Sequence, residues 1–102
     1  MKFLQIVVTA TFVISAPAFA SKELAQKNAC LACHAADKKL VGPAYQEVAR
    51  KYAGQKDAEA SVAKSIKAGG SGKWGPVPMP AQAALSDADA EALAKWVLAG
   101  AR

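Results

Sequence analysis

Two cysteines and one histidine occur in this 102-residue chain, and all three lie within five positions, Cys30-Leu31-Ala32-Cys33-His34. The spacing is C-x-x-C-H, the sequence to which c-type haem is attached. Two thiols add across the two vinyl groups of one porphyrin, and a helical C-x-x-C puts both sulfurs on one side at a suitable separation. The next residue then points beneath the ring, which makes the His34 imidazole the expected proximal iron ligand. Three other uses of these residues compete. A plain disulfide would need no adjacent histidine, and a thioredoxin-like pair sits beside a βαβ pattern. Zinc held by Cys, Cys and His would lack a usual fourth ligand.

A second axial ligand must come from elsewhere, because His34 is the only histidine. Apart from Met1, the only methionine is Met79, in Gly75-Pro76-Val77-Pro78-Met79-Pro80. Pro80 restricts Met79 to extended geometry and Pro78 fixes its neighbour, so the loop is ordered before any bond forms. That favours a weak thioether ligand, and Met/His ligation raises the reduction potential. A methionine merely packed in a turn is the plainer alternative.

The elements that must position these residues are short. Met1-Lys2, an apolar run from Phe3 to Ala16, and small residues at Ala18 and Ala20 match a secretory signal peptide cleaved after Ala20. The run is too short for the ~20 apolar residues of a spanning helix. Cleavage would leave 82 residues, Ser21–Arg102, with Lys2 lost and a charge of +4 instead of +5. A hydrophobic core alone is marginal at that size, so a buried porphyrin would supply apolar surface that the chain lacks. Export to an oxidising compartment also suits two close cysteines.

Alanine makes up 21 of those 82 residues, Val and Ile together six, and Thr is absent. This composition favours helices and offers nothing that reads as a strand. A first helix is expected at Ser21–Asn28. Tyr45, Val48, Ala49 and Tyr52 form a stripe with helical spacing between Pro43 and Gly54. Asp57 is placed to cap a third helix with Val62, Ala63 and Ile66, stopped by Gly69-Gly70. Ser86 and Asp89 resemble a capping box ahead of a helix that buries Leu93, Ala94, Trp96 and Val97 before Gly100. Between the last two helices, Gly69–Ala81 holds four of the seven glycines and three of the five prolines and is expected to be a loop, of a length that usually has a job or is disordered. The expected fold is therefore all-α, a single domain of about four short helices wrapped around one covalently attached haem.

The chain resembles the small bacterial class I monohaem cytochromes c of the c-551/c-552 type. Cys30–His34, Val41-Gly42-Pro43-Ala44-Tyr45, Lys73-Trp74-Gly75-Pro76-Val77-Pro78-Met79-Pro80 and Leu93-Ala94-Lys95-Trp96-Val97-Leu98 carry the resemblance, in order, over essentially all of Ser21–Arg102. The resemblance implies that the Pro43 carbonyl accepts a hydrogen bond from the Nδ1–H of His34. It also implies that the Trp74 indole donates to a haem propionate and that Trp96 is a core aromatic. Three positions depart from the family. Ala25 stands where many relatives have an aromatic, Gln82 where several have an Asn bonding the Met sulfur, and Ser65 where some have an Arg reaching the propionate. Lys64 or Lys67 is the candidate substitute for that Arg.

With His34 and Met79 filling both axial positions, iron would have no vacant site. No carboxylate pair, nucleophile or phosphate-binding loop is present, and Gly69-Gly70-Ser71-Gly72 lacks the strand and Lys-Ser/Thr of a P-loop. The expected function is a soluble, monomeric, periplasmic one-electron carrier, not an enzyme. Its donor would be a quinol-oxidising complex and its acceptor, by resemblance, a nitrite reductase or a terminal oxidase. A haem protein with a displaceable Met, binding small ligands or reacting with peroxide, is the alternative; a permanently docked subunit of one dehydrogenase is a third. Lys27, Lys38, Lys39 and Lys73 are candidates for steering an acidic partner, or simply solvate helix faces. No basic stripe with interleaved aromatics suggests nucleic acid, and no stable membrane insertion is expected after cleavage.

Overall fold

The computed structural model describes residues 5–10 and 18–102. Four α-helices carry the architecture: α1 (Ala18–Lys27), α2 (Tyr45–Tyr52), α3 (Ala58–Ala68) and α4 (Asp87–Leu98), with a 3-10 turn at Cys30–Ala32. Two isolated bridges are the only β pairing among the described residues. The all-α expectation holds. Most of the apolar run expected as a leader lies outside the described residues. Within it, residues 5–10 have no regular structure, and Ile6, Val7 and Val8 are exposed. Among the described residues no helix is long and apolar enough to cross a membrane.

Helix α4 is the centre of the packing and touches α1, α2 and α3. It begins where the sequence marks it: Ser86 Oγ accepts from the Asp89 N–H at 3.1 Å, satisfying one of the donors that a helix start leaves free. Ala90, Leu93, Ala94, Trp96 and Val97 form its buried face. Ala25, Ala90 and Ala94 are completely buried. Side chains this small let helix backbones approach closely, so Ala25 makes a close α1 contact where an aromatic would hold the helices apart.

Helix α2 buries Tyr45, Val48 and Tyr52, while Ala49 is half-buried. Its N-terminal residue Ala44 has no capping side chain. Carbonyls of the preceding loop supply the acceptors: the Tyr45 N–H donates to Ala35 at 2.9 Å and the Gln46 N–H to Ala36 at 3.0 Å. The start of α2 is thereby tied to the segment just after His34. Helix α3 follows directly on Asp57, as expected, but the Asp57 side chain makes no capping bond. Gly69, at φ 66°, ends α3 where the glycine pair predicts.

Candidate functional site

Helix α1 ends in a tight reversal. Asn28 Nδ2 donates back to the Leu24 carbonyl at 2.9 Å, and Ala29 adopts left-handed geometry, φ 59° and ψ 19°. The chain then enters the Cys30–Ala32 turn. The N–H groups of Cys33 and His34 both donate to the Cys30 carbonyl, at 3.1 and 2.9 Å. One helical turn therefore carries both thiols and the imidazole, as the C-x-x-C-H spacing requires. Both cysteines are half-buried free thiols. Burial pushes the Cys30 thiol above its ordinary value, and neighbouring Cys33 adds to the rise against a hydrogen bond from Cys30's own backbone.

His34 is held on several sides. Its Nδ1 lies 2.8 Å from the Pro43 carbonyl oxygen. A carbonyl can only accept, so Nδ1 carries the hydrogen and Nε2 keeps its lone pair. The Tyr45 ring stacks on the imidazole at 5.1 Å between centroids and 21° between planes. Trp96 braces Tyr45 in turn, edge to face at 5.4 Å. Burial pushes the Tyr45 phenol well above its ordinary range. At Gly42 the backbone itself lies against the ring: an added Cβ would sit 2.5 Å from His34 Cε1 and 2.9 Å from Nδ1. Gly42 is fixed there by its N–H, which donates to the Cys33 carbonyl at 2.8 Å.

Met79 comes from the Gly/Pro loop, and α3 seats it. Gly70 and Met79 exchange two backbone hydrogen bonds, 3.1 Å from Gly70 N to Met79 O and 2.8 Å in return. Beyond Met79, the Gln82 N–H donates to the Ile66 carbonyl at 3.2 Å. Gly69 lies between these ties, and a Cβ on it would sit 2.5 Å from the Met79 carbonyl oxygen and 2.7 Å from the Ala81 nitrogen. The Met79 side chain is half-buried.

Trp74, on the same loop, is 38% exposed. Lys51 Nζ lies over its ring, 4.4 Å from the centroid. Lys67, one of the two lysines considered in place of the absent Arg, is paired with Asp87 and ties α3 to α4. Lys64 is exposed. Sequence reading alone did not find three contributors: Gly42, which the imidazole needs for space; Tyr45, read only as part of an apolar stripe; and Gly69, read only as a helix stop. Gly42 and Tyr45 do fall inside a stretch already conspicuous for its order, directly flanking Pro43.

The residues present fit a covalently bound haem. Two thiols share a turn with an imidazole whose Nδ1 is already bonded and whose Nε2 is available. A backbone without a side chain at Gly42 leaves room for that imidazole, and a half-buried thioether sits on a loop tied down at both ends.

An all-α domain organised around a C-x-x-C-H turn and a proline-flanked methionine defines a class I haem protein of the electron-transfer type. The chain belongs to the cytochrome c family, whose model matches residues 20–101. It is 57% identical to cytochrome c-551 of Pseudomonas aeruginosa over 75 residues, covering 74% of this chain and 71% of that protein. With cytochrome c-552 of Hydrogenobacter thermophilus the identity is 55% over 80 residues, 78% of this chain and 81% of the other. The crystal structure of wild-type Nitrosomonas europaea cytochrome c552 superposes with a TM-score of 0.75 at 51% identity, covering 78% of this chain and 98% of that one. The protein is thus a small electron carrier with one covalently attached haem c and its iron, and it is not an enzyme.

Proposed function

We propose that residues 1–20 are removed on export and that Ser21–Arg102 works in the periplasm as a soluble, monomeric carrier. It would take electrons from a quinol-oxidising complex and deliver them to a nitrite reductase or a terminal oxidase. Cys30 and Cys33 hold the haem through thioethers, His34 and Met79 are the axial ligands, Pro43 orients His34, and Trp74 bonds a propionate. The bound haem supplies a one-electron Fe(III)/Fe(II) couple.

The chain's own residues keep that couple rigid. The Pro43 carbonyl holds the Nδ1 hydrogen of His34, fixing the ring orientation and making Nε2 a stronger donor. Tyr45 stacks on the imidazole, and the Gly42 backbone lies close to its Cε1 and both nitrogens. The Gly70–Met79 bridge ties the thioether's backbone to the segment just beyond α3, so little freedom remains to be lost on coordination. A ligand set held from both sides suits outer-sphere transfer, in which neither ligand changes. The exposed Lys27, Lys38 and Lys39 give the surface a positive bias toward an acidic partner.

The observation that carries this reading is the Nδ1 bond to Pro43, which commits His34 to presenting Nε2 from the same turn as both thiols. Visible and near-infrared spectra of the purified protein test it. A sharp reduced α-band, a Met–iron charge-transfer band when oxidised, and indifference to carbon monoxide are expected. A high-spin spectrum or ready carbon monoxide binding would overturn the carrier reading in favour of a ligand-binding or peroxide-reactive protein. Intact mass of the periplasmic fraction tests the leader: the expected chain begins at Ser21.

A further inference from the structure

Lys51 belongs to α2 and Lys73 to the Gly/Pro loop, and each ammonium group lies against the ring of the other lysine's sequence neighbour. Lys51 Nζ lies 4.4 Å from the Trp74 ring centroid and donates to the Lys73 carbonyl at 3.3 Å. Lys73 Nζ donates to the Tyr52 hydroxyl and lies 4.7 Å from the centroid of that ring. Tyr52 is only 6% exposed, so Lys73 is folded back onto the body of the domain. Neither lysine faces a carboxylate: the ion pairs among the described residues are Arg50–Glu47 and Lys67–Asp87. The two π faces offset only part of the cost of leaving each charge without a counter-ion. A carboxylate beside them would supply that counter-ion.

Ser65 brings no charge to the position of the absent Arg, and Lys67 is engaged with Asp87. We propose that Lys51 and Lys73, together with the Trp74 indole, form the cationic seat of a haem propionate and raise the reduction potential of the iron. The proposal rests on the carrier reading above. Its physics is the sign of the charge change: ferric iron carries one more positive charge than ferrous, so nearby cations favour the ferrous form. Removing one unit charge at ~10 Å shifts the equilibrium toward ferric by roughly two- to tenfold.

The test is spectroelectrochemical titration of the holoprotein and its Lys51→Gln, Lys73→Gln, Lys73→Arg and Lys64→Gln variants. Lys51→Gln and Lys73→Gln should each shift the equilibrium toward ferric by that factor, with the Met–iron band retained. Lys73→Arg should keep the parent potential, and exposed Lys64→Gln should shift it less than either. The proposal is overturned if Lys51→Gln and Lys73→Gln behave like Lys64→Gln, or if Lys73→Arg falls as far as Lys73→Gln. Failure of the carrier reading looks different, because the unmutated protein would then lack the Met–iron band or bind carbon monoxide.

Discussion

Replacing Gly42 with alanine adds one methyl group directly against the His34 imidazole. That Cβ would lie 2.5 Å from His34 Cε1, 2.9 Å from Nδ1 and 3.0 Å from Nε2. All three contacts fall on one ring, so no small rotation relieves them together. Either the imidazole moves away from Gly42, stretching its 2.8 Å bond to Pro43, or the backbone at Gly42 gives up its 2.8 Å bond to Cys33. Overpacking costs about 1–3 kcal/mol, and a lost hydrogen bond about 1 kcal/mol more. The sum, about 2–4 kcal/mol, should lower the melting temperature by roughly 10–25 °C in a domain this small. The potential should move as well. A stretched Pro43 bond makes His34 a weaker donor, which favours the ferrous form, so the potential rises. Gly54→Ala is the control: Gly54 has φ 77° with nothing within 4 Å of an added Cβ. It should lose about 1 kcal/mol through backbone strain alone, at unchanged potential. Thermal melts by circular dichroism and spectroelectrochemical titration of both variants decide the matter. A Gly42→Ala protein that melts within a few degrees of the parent, at the parent potential, would refute the crowding argument.

Three further outcomes are expected. Gly69→Ala combines a left-handed backbone with a Cβ 2.5 Å from the Met79 carbonyl, so it should weaken the Met–iron band and admit carbon monoxide, whereas Val62→Ala in the core of α3 should lower the melting temperature and leave the band intact. Ala29→Gly should stabilise the protein by about 1 kcal/mol, because Ala29 holds φ 59° without the freedom of glycine; an unchanged or lower melting temperature would count against that. The Asp87 carboxyl is held below its ordinary 3.8 first by its hydrogen bond from Lys67 and then by that lysine's charge, and the Glu47 carboxyl below its ordinary 4.5 by Arg50 in the same two ways. Both contributions are fully present above those ordinary values and fade as pH falls through the lowered ones. Asp87→Asn should therefore flatten the acid limb of a stability–pH curve and leave neutral-to-alkaline behaviour unchanged in shape; a parallel downward displacement at every pH would exclude the linkage.

What the sequence made legible is what local chemistry dictates. The C-x-x-C-H run, the proline-flanked Met79 and the four helical segments follow from residue type and short-range spacing, and all four helices appear within a few residues of expectation. Asp57 shows the limit of such reasoning: its type suits a cap, but its backbone geometry, φ −108° and ψ 21°, turns the carboxylate away from that use. Ala44 shows the converse, a helix start with no capping residue, because the acceptors come from Ala35 and Ala36 across a loop. Lys73 was legible only as a surface charge, since nothing in its neighbourhood in sequence announces Tyr52, 21 positions earlier. Interactions at that range are set by how α2 and the Gly/Pro loop pack, which no local pattern encodes.

Gly42 and Gly69 belong to the same lesson, and together they say something about how a thin core can hold a metal centre. Three alanines among the described residues, Ala25, Ala90 and Ala94, have no exposure at all. These alanines bring the helices close, and among the large core side chains Tyr45 braces His34. The rest of the positioning passes to the backbone. Pro43 gives a carbonyl, Gly42 and Gly69 give the absence of a side chain, and Gly70 gives both of its peptide groups to Met79. A backbone contact cannot rotate away as a side chain can, so each ligand is fixed with few atoms. The same economy removes any slack: one added methyl at either glycine has no neighbouring side chain that can swing aside to absorb it, and the displacement must pass directly to His34 or to the peptide of Met79.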